Sequence, residues 1–527
     1  MVAFSCGFVT PLIIIICRSP KVCYILLHIE CGVGCAEEHW RERPFSGWPE
    51  RGECGIEEKP ACQPNPLLCE PSCQITTMSD KVSQPIHNRL IDAARLGLIT
   101  IAWLAALITV MFGAAVRSLT EVGVYCFILF AICTLPRLRR DSLIILTVLA
   151  VLTLMLLPTT PDLDALLGAV EYVLIFAALL PTMALVKATA MTMPSVQKSQ
   201  ADLGALPPEA SAGGFQLTGH FFGGIINTGT FAILSAVLPP QSPEQDRRAA
   251  AEAAIRGMVT SAAWSPFFVG FAVGQSFVEP HYAWMAIGFG VVTATLFSAI
   301  SLPAINHNFS LRQLRLALLC LRPVASRLAF VFVCVIGAAL MFQLTALAAV
   351  VSAMPWLVGL QMLRNRETVG RILSQTRTAL NNIADDVIVI SAAMMVAFLV
   401  NSYNNINEIM QTIYPEMLPG WVALMLTPLL VTLASVVGVH PVITSTALLT
   451  IFSGGGADVH PALLVQAHLI GWGTGTMSSV ASLSVISCAG LYGVPTRKLV
   501  FGQNMVIAFI YAIGGGLFLS LLNLLIW

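Results

Sequence analysis

The stretch GHFFGGIINTGTFAILSAVLPP, residues 219–240, has features that a plain membrane helix does not need. Glycine, asparagine and threonine interrupt an apolar run that is otherwise long enough to cross a bilayer. Unpaired backbone polar groups are not tolerated in hydrocarbon, so this interruption predicts non-helical backbone buried around a cavity. The stretch therefore predicts a helical hairpin or a broken helix inside a membrane.

Three further stretches share this character. They are RGMVTSAAWSPFFVGFAVG (256–274), ASVVGVHPVITSTALLTIFSGGG (434–456) and HLIGWGTGTMSSVASLSVISCAGLYGVP (468–495). In each half of the chain a polar turn enters an apolar helix and a second polar break follows, and the halves lie about 215 residues apart. Breaks in corresponding positions of two halves are typical of transporter binding sites. Small polar residues also serve ordinary helix packing in membranes, but four stretches in this order favour a site.

Composition sets the class of protein. The chain has 527 residues, of which 56% are hydrophobic and 11% charged, against roughly 25% charged in an ordinary soluble domain. Disorder is excluded by the high hydrophobicity. No nucleic-acid partner is expected, because 28 Lys and Arg are balanced by 28 Asp and Glu and no basic domain stands out. The composition predicts an all-α polytopic membrane protein with about ten to twelve membrane segments.

The chain divides into two parts by composition. Residues 1–77 hold most of the cysteines in spacings that suit neither a disulfide framework nor zinc. Met78 has the features of a natural start, so we expect residues 1–77 to be a doubtful Cys-rich leader that is not native. Residues 78–527 form the predicted membrane transport domain. We expect one long apolar stretch, 328–363, to hold two spans that divide near Met354-Pro355.

Basic residues cluster in alternate short loops, which indicates orientation. Their distribution places the start of the first span in the cytoplasm and the C-terminus outside, in a cell membrane that we take to be a bacterial inner membrane. Two basic, helix-forming segments with an apolar face, 241–256 and 365–382, are interpreted either as ordinary cytoplasmic loops with helical content or as interfacial helices that brace moving parts.

The residues at the predicted turns resemble a known family. Asn227-Thr228-Gly229-Thr230, which runs on to Leu238-Pro239, and Val439-His440-Pro441, followed by Thr444-Ser445-Thr446, are similar to hairpin tips of the ion transporter superfamily, most nearly its divalent anion–sodium symporter branch. The resemblance implies two inverted repeats with re-entrant hairpins and broken helices, here about 164–305 and about 384–527, and a homodimer. The family's second Ser-Asn-Thr is absent, and Thr474-Gly475-Thr476-Met477-Ser478-Ser479 stands where a Thr-Pro-Pro-Asn-like element is expected.

Small hydroxyl and amide side chains are the candidate substrate-binding residues. They are Asn227, Thr228, Thr230, Thr444, Ser445, Thr446, Thr474, Thr476 and Ser478. No Arg or Lys occurs in 215–240, 257–278 or 420–490, so an anion would depend on helix N-termini and on hydroxyl or amide donors. The same groups suit a neutral polar solute, and the solute's charge stays open.

Ionisable residues in apolar surroundings are candidates for ion coupling. Glu171 is flanked by apolar residues and could carry a coupling proton, or could lie near the outer interface. Asp385 begins a span, where a carboxylate also complements a helix N-terminus. His440 sits at a predicted break and could relay protons, although a membrane histidine is often a structural hydrogen-bond donor.

These patterns predict a secondary active transporter that moves a small polar or anionic solute by alternating access. Sodium or protons would be the coupling ion, and no cofactor or metal site is expected. The chain lacks a phosphate-binding G-x4-G-K-[ST] motif, so it does not itself use ATP. The alternatives are a membrane subunit of a multi-component, tripartite-type transporter and, with no visible catalytic constellation, a membrane-embedded enzyme.

Overall fold

The computed structural model describes residues 2–3, 9–19, 22–31, 86–157, 161–239, 241–305, 309–402 and 418–527. The chain divides into two units, Met1–Ile91 and Asp92–Trp527. In the first, strands β1 (Val2–Ala3), β2 (Val9–Ser19) and β3 (Val22–Cys31) form an antiparallel sheet in that order. Residues 32–85 lie outside the described residues, and the nativeness of the leader stays a prediction.

The rest of the described chain is helical, which confirms the all-α prediction. The helices are α1 Ile86–Phe112, α2 Arg117–Thr134, α3 Arg140–Leu156, α4 Leu163–Ala190, α5 Pro194–Gly204, α6 Pro208–Ile226, α7 Gly229–Ser235, α8 Glu244–Ala262, α9 Val269–Gln275, α10 Pro280–Ile305, α11 Leu311–Leu319, α12 Arg322–Phe342, α13 Ala346–Arg364, α14 Val369–Asn382, α15 Ala384–Ser402, α16 Gly420–Val436, α17 Pro441–Ile451, α18 Pro461–Ser478, α19 Leu483–Tyr492, α20 Thr496–Val500 and α21 Gln503–Ile526. Two-residue strands, β4 (Leu418–Pro419) and β5 (Ala457–Asp458), pair in parallel.

Several helices are long and apolar enough to cross a membrane. Among the described residues there are seven, or up to nine if each of two bent helix pairs is one span. The bent pairs are Arg366–Asn382 with Ala384–Val400, at 53°, and Pro461–Ser478 with Leu483–Tyr492, at 42°. The expected ten to twelve segments included shorter apolar helices such as α16 and α17, whose 17 and 11 residues fall below the length of about 20 that a full span needs.

The predicted division of 328–363 near Met354-Pro355 is wrong. The chain breaks instead after Phe342, where Gln343 adopts a left-handed conformation with φ of 51°. The Thr345 side chain then accepts a hydrogen bond from the backbone N–H of Ala348 and begins α13. Pro355 lies inside α13, because packing partners in a membrane protein compensate for the backbone hydrogen bond that a proline removes.

The prediction that 241–256 forms a helix is confirmed from Glu244 onward, but its placement in a surface loop or at the membrane interface is wrong from Ala250 onward. Helix α8 runs from Glu244 to Ala262 without interruption, and every residue from Ala250 onward is buried. Its alanines are small enough to let α6 approach closely, so the helix enters the core. The second basic segment forms α14, whose buried residues Ile372, Thr376 and Leu380 lie on one face; its bracing role stays a prediction.

The same succession of elements occurs in both halves of the chain. Hairpin 1 comprises α6 and α7, and broken helix 1 comprises α8 and α9 with a break at 263–268. Hairpin 2 comprises α16 and α17, and broken helix 2 comprises α18 and α19 with a break at 479–482. A long apolar helix follows each broken helix, α10 in the first half and α21 in the second.

Contacts between these elements are reciprocal. Each hairpin packs along the broken helix of its own half, α6 against α8 and α16 against α18. Across the halves, α9 packs on α18 and α19 packs on α8. The short helices follow the same rule, because α7 contacts α8 and α19 while α17 contacts α18 and α9. The two broken helices therefore cross, with each break close to the other half.

Glycine permits the close packing within each half. A Cβ at Gly257 would clash with the backbone oxygen of Gln216 on α6. A Cβ at Gly471 would lie 2.9 Å from Cα of Pro428 on α16. Small residues at such crossings let membrane helices approach closely enough for dense van der Waals contact.

Candidate functional site

The turn of hairpin 1 is formed by two of the predicted site residues. Helix α6 ends at Ile226, and Asn227 has a positive φ of 49°, a conformation that asparagine adopts more readily than most residues. The Asn227 carbonyl accepts a hydrogen bond from the Thr230 N–H at 3.1 Å. Asn227 and Thr228 are half-buried, whereas Thr230 is fully buried.

Hairpin 1 is joined to the break that follows it by two side-chain hydrogen bonds. Ser265 Oγ donates to the carbonyl of Gly224, one turn before the hairpin turn. Trp264 Nε1 donates to His220 Nε2 at 3.1 Å. The last turns of α6 and the residues of the break therefore form one local cluster.

The turn of hairpin 2 is longer and contains His440. Gly438 has φ of 92°, which a residue with a side chain rarely adopts. His440 Nδ1 accepts a hydrogen bond from the Val442 N–H at 3.2 Å and caps α17. Its ring also lies edge-on to Trp472 of broken helix 2, with centroids 6.1 Å apart. These contacts describe a helix cap, and a coupling role for His440 stays a prediction.

Three predicted site hydroxyls are buried without a partner. Thr230 Oγ1, Ser445 Oγ and Thr446 Oγ1 form no hydrogen bond with any described residue. By contrast, Thr450, one turn beyond Thr446 on α17, donates its hydroxyl to the Thr446 carbonyl at 2.8 Å. A buried polar group left unpaired costs about 1–3 kcal/mol. These three hydroxyls are therefore suited to receive a ligand, an ion or water.

The remaining hydroxyls of the predicted site have different surroundings. Thr444 on α17 and Thr476 on α18 are half-buried. Ser478 donates to the Thr474 carbonyl at 2.8 Å within its own helix. The Thr474 hydroxyl bonds to the Ile470 carbonyl at 2.8 Å and lies 2.7 Å from the hydroxyl of Thr432 on α16. Thr474 and Ser478 thus already have partners, unlike the hydroxyls of the short helices.

The two carboxylate candidates have different surroundings. Glu171 is exposed on α4. Asp385 Oδ2 accepts hydrogen bonds from the Arg139 N–H at 2.9 Å, from Arg139 Nε at 3.1 Å and from Ser142 Oγ at 2.9 Å. Asp385 therefore ties the start of α15 to the start of α3. An ion-coupling role for either carboxylate stays a prediction.

Sequence reasoning missed a buried cation on the first helix of broken helix 1. Arg256 is only 2% exposed. Its Nη1 donates to Asn504 Oδ1 on α21 at 2.8 Å, and its Nε donates to Gln216 Oε1 on α6 at 3.4 Å. The alanine-rich run that precedes Arg256 was the available sign of burial, but its partners are far away in sequence.

A second cation lies near the turn of hairpin 1. A Cβ on Gly229 would be 2.8 Å from Cγ of Lys187, so the alkyl chain of Lys187 covers this part of the turn. Lys187 lies in the last turn of α4. No group of three or more His, Cys, Asp or Glu side chains could hold a metal ion within the described ranges.

Hydrogen bonds of unequal strength join the halves. His468 Nε2 on α18 donates to the carbonyl of Gly270 on α9 at 2.8 Å. In the reciprocal contact, Cys488 Sγ on α19 lies 3.7 Å from the carbonyl of Ala251 on α8. A thiol is a weak donor, so the first contact is the stronger one.

No family model and no curated protein matches the chain. Among solved structures, it is similar to the YdaH transporter of Alcanivorax borkumensis, whose crystal structure reveals an unusual topology. The TM-score is 0.44 at 13% identity, over 73% of this chain and 97% of that one.

Proposed function

We propose that this membrane protein is a secondary active transporter that moves a small polar or anionic solute by alternating access. The observation that carries this proposal is the set of three buried, unpartnered hydroxyls, Thr230, Ser445 and Thr446, on the second helices of two hairpins. Serine and threonine in a membrane helix usually bond to a carbonyl of their own helix, so hydroxyls that are buried and unpaired in both hairpins support a ligand there.

The reciprocal packing of the two halves supports alternating access. Each broken helix crosses the other, and each hairpin lies along the broken helix of its own half. We take this as an inverted repeat, in which one half could open toward one side of the membrane while the other half closes. The proposal also keeps the predicted cytoplasmic start of the first span and the homodimer.

The chemistry of the lining supports a solute with several hydrogen-bond acceptors. Hydroxyls from both hairpins would bind its polar groups. The alkyl chain of Lys187 lies over hairpin 1, so its ammonium group could stabilise an anion in a medium of low dielectric constant. Backbone oxygens at the two turns are ligands that sodium accepts, and we propose sodium or protons as the coupling ion.

Uptake into proteoliposomes tests the proposal. Labelled probes would be a dicarboxylate, an α-amino acid and an uncharged polyol, each offered with a sodium gradient alone and then with a proton gradient alone. We expect accumulation of at least one probe above protein-free vesicles, driven by one of the two gradients. Absence of gradient-driven accumulation for every probe, together with a hydrolytic or transfer activity, would overturn the proposal.

A further inference from the structure

A separate cavity of about 450 Å³ lies between hairpin 1 and helices α12 and α13. Most of its wall is apolar. Phe222 and Ile226 contribute from α6, Val331 from α12, and Met354 and Leu357 from α13. The cavity thus reaches the last turn of α6, directly before the Asn227 turn, but it contains none of the three unpartnered hydroxyls of the proposed solute site.

One end of this cavity is cationic. Arg327 of α12 and Arg364 of α13 both line it, together with the amides of Gln361 and Asn365. No acidic side chain is among its described lining residues. Neither arginine forms an ion pair within the part of the chain that the structure describes. The charge of this end is therefore available to an anion.

The cavity also opens toward the surface that faces lipid. Phe330 and Leu360 line it and are nevertheless 55% and 50% exposed. Both residues belong to candidate membrane spans, Arg322–Phe342 and Ala346–Arg364. Side chains exposed on a membrane span are expected to face hydrocarbon, which would give a lipid a lateral route into this cavity.

We propose that the cavity binds an anionic membrane lipid. One acyl chain would lie against Phe222 and Ile226 of hairpin 1, and the phosphate headgroup would contact Arg327 and Arg364. Basic pockets between membrane helices bind anionic headgroups, and the guanidinium group matches phosphate in a bidentate geometry. The lipid would thereby touch the helix that ends at the Asn227 turn and influence the position of hairpin 1.

Native mass spectrometry of the delipidated protein tests this site. Phosphatidylglycerol and phosphatidylcholine with identical acyl chains would be added back at equal concentration. We expect preferential retention of phosphatidylglycerol. The double variant R327Q/R364Q should weaken that retention by roughly 30-fold. This fold change corresponds to about 1 kcal/mol of binding free energy for each of the two arginines near a membrane surface. Equal retention of both lipids, or unchanged retention by the double variant, would overturn the proposal.

Matched controls test the contributions of the lipid headgroup and of the acyl chains separately. Arg371→Gln removes an exposed arginine outside the cavity and should leave retention of phosphatidylglycerol unchanged. A loss of retention equal to that of R327Q/R364Q would indicate non-specific attraction between the lipid and basic residues, and it would contradict a site in the cavity. Glycerol phosphate, which has the headgroup charge without acyl chains, should fail to compete. Competition by glycerol phosphate at the concentrations at which the lipid binds would show that the arginines bind a free anion, and it would overturn the proposal of a lipid ligand.

Discussion

The two hairpins have the same order of elements but close in different ways. Hairpin 1 turns through two residues, Asn227 and Thr228, and its second helix has 7 residues. Hairpin 2 turns through four residues, from Val437 to His440, and its second helix has 11 residues. Ser265 and Trp264 bond hairpin 1 to its break, whereas His440 caps its own helix.

This comparison distinguishes shared features from local ones. The turn length, the helix length and the side chains that hold each turn differ between the halves. The buried hydroxyls without partners, Thr230 in one half and Ser445 and Thr446 in the other, occur in both. These hydroxyls occur in both hairpins although the residues that hold each turn differ, and this agrees with the proposed common ligand.

Packing within the halves should show the largest effect. Gly257→Ala places a Cβ against backbone atoms of α6, and Gly471→Ala a less crowded Cβ against α16. Overpacking typically costs about 1–3 kcal/mol, occasionally more, and we expect Gly257→Ala to exceed Gly471→Ala because its clash is the shorter. Thermal unfolding in detergent measures both. Gly288→Ala is the control, because a Cβ added there meets no atom within 4 Å. An equal Tm for all three variants would contradict the close packing of α8 on α6 and of α18 on α16.

Contacts between the halves should show the next effect. His468→Phe removes the donor to the Gly270 carbonyl and leaves that buried oxygen unpaired, at a cost of about 1–3 kcal/mol. Cys488→Ser retains a donor at the reciprocal, weaker contact and should cost less. Comparison of the two Tm values in one detergent checks this order. A larger decrease in Tm for Cys488→Ser than for His468→Phe would contradict the conclusion that the His468 hydrogen bond is the stronger one.

Removal of single hydroxyls should have the smallest effect on the free energy of unfolding, but its effect on transport should be specific to the residues of the proposed solute site. Thr230→Val and Thr446→Val each remove one hydrogen bond to the solute, so we expect initial uptake rates to fall about 5- to 10-fold. Their Tm should not fall, because no partner in the protein is lost. Thr450→Val, in contrast, removes a bond within α17 and should leave uptake within about twofold of the wild type. Equal losses of uptake for Thr446→Val and Thr450→Val would contradict the distinction between hydroxyls that bind solute and hydroxyls that bond within their own helix.

Sequence patterns located the breaks because the reason for each break is local. Glycine and asparagine at positive φ mark the turns at Asn227 and Gly438, and both positions fall inside the stretches predicted to be interrupted. The alternation of polar breaks with apolar runs also predicted which helices are long. The site residues Thr230, Ser445 and Thr446 were chosen on the same grounds, and the structure shows each of them buried.

Features set by tertiary contact could not be predicted in this way. Helix α8 has the charges of a surface helix in its first turns, yet its later alanines are buried against α6. Arg256 is buried because amides from Gln216 and Asn504, 40 and 248 residues away, accept its hydrogen bonds. Pro355 was predicted as a break, but the left-handed Gln343 marks the real one. The errors at α8 and Arg256 came from partners that lie far away in sequence.

The most direct measurement is a high-resolution density map of the protein with a transported solute bound. We expect solute density within hydrogen-bond distance of Thr230 Oγ1, Ser445 Oγ and Thr446 Oγ1, so that one ligand joins both hairpins. Solute density elsewhere, with these three hydroxyls still unpartnered or satisfied by the protein itself, would contradict the claim that the two halves share one binding site.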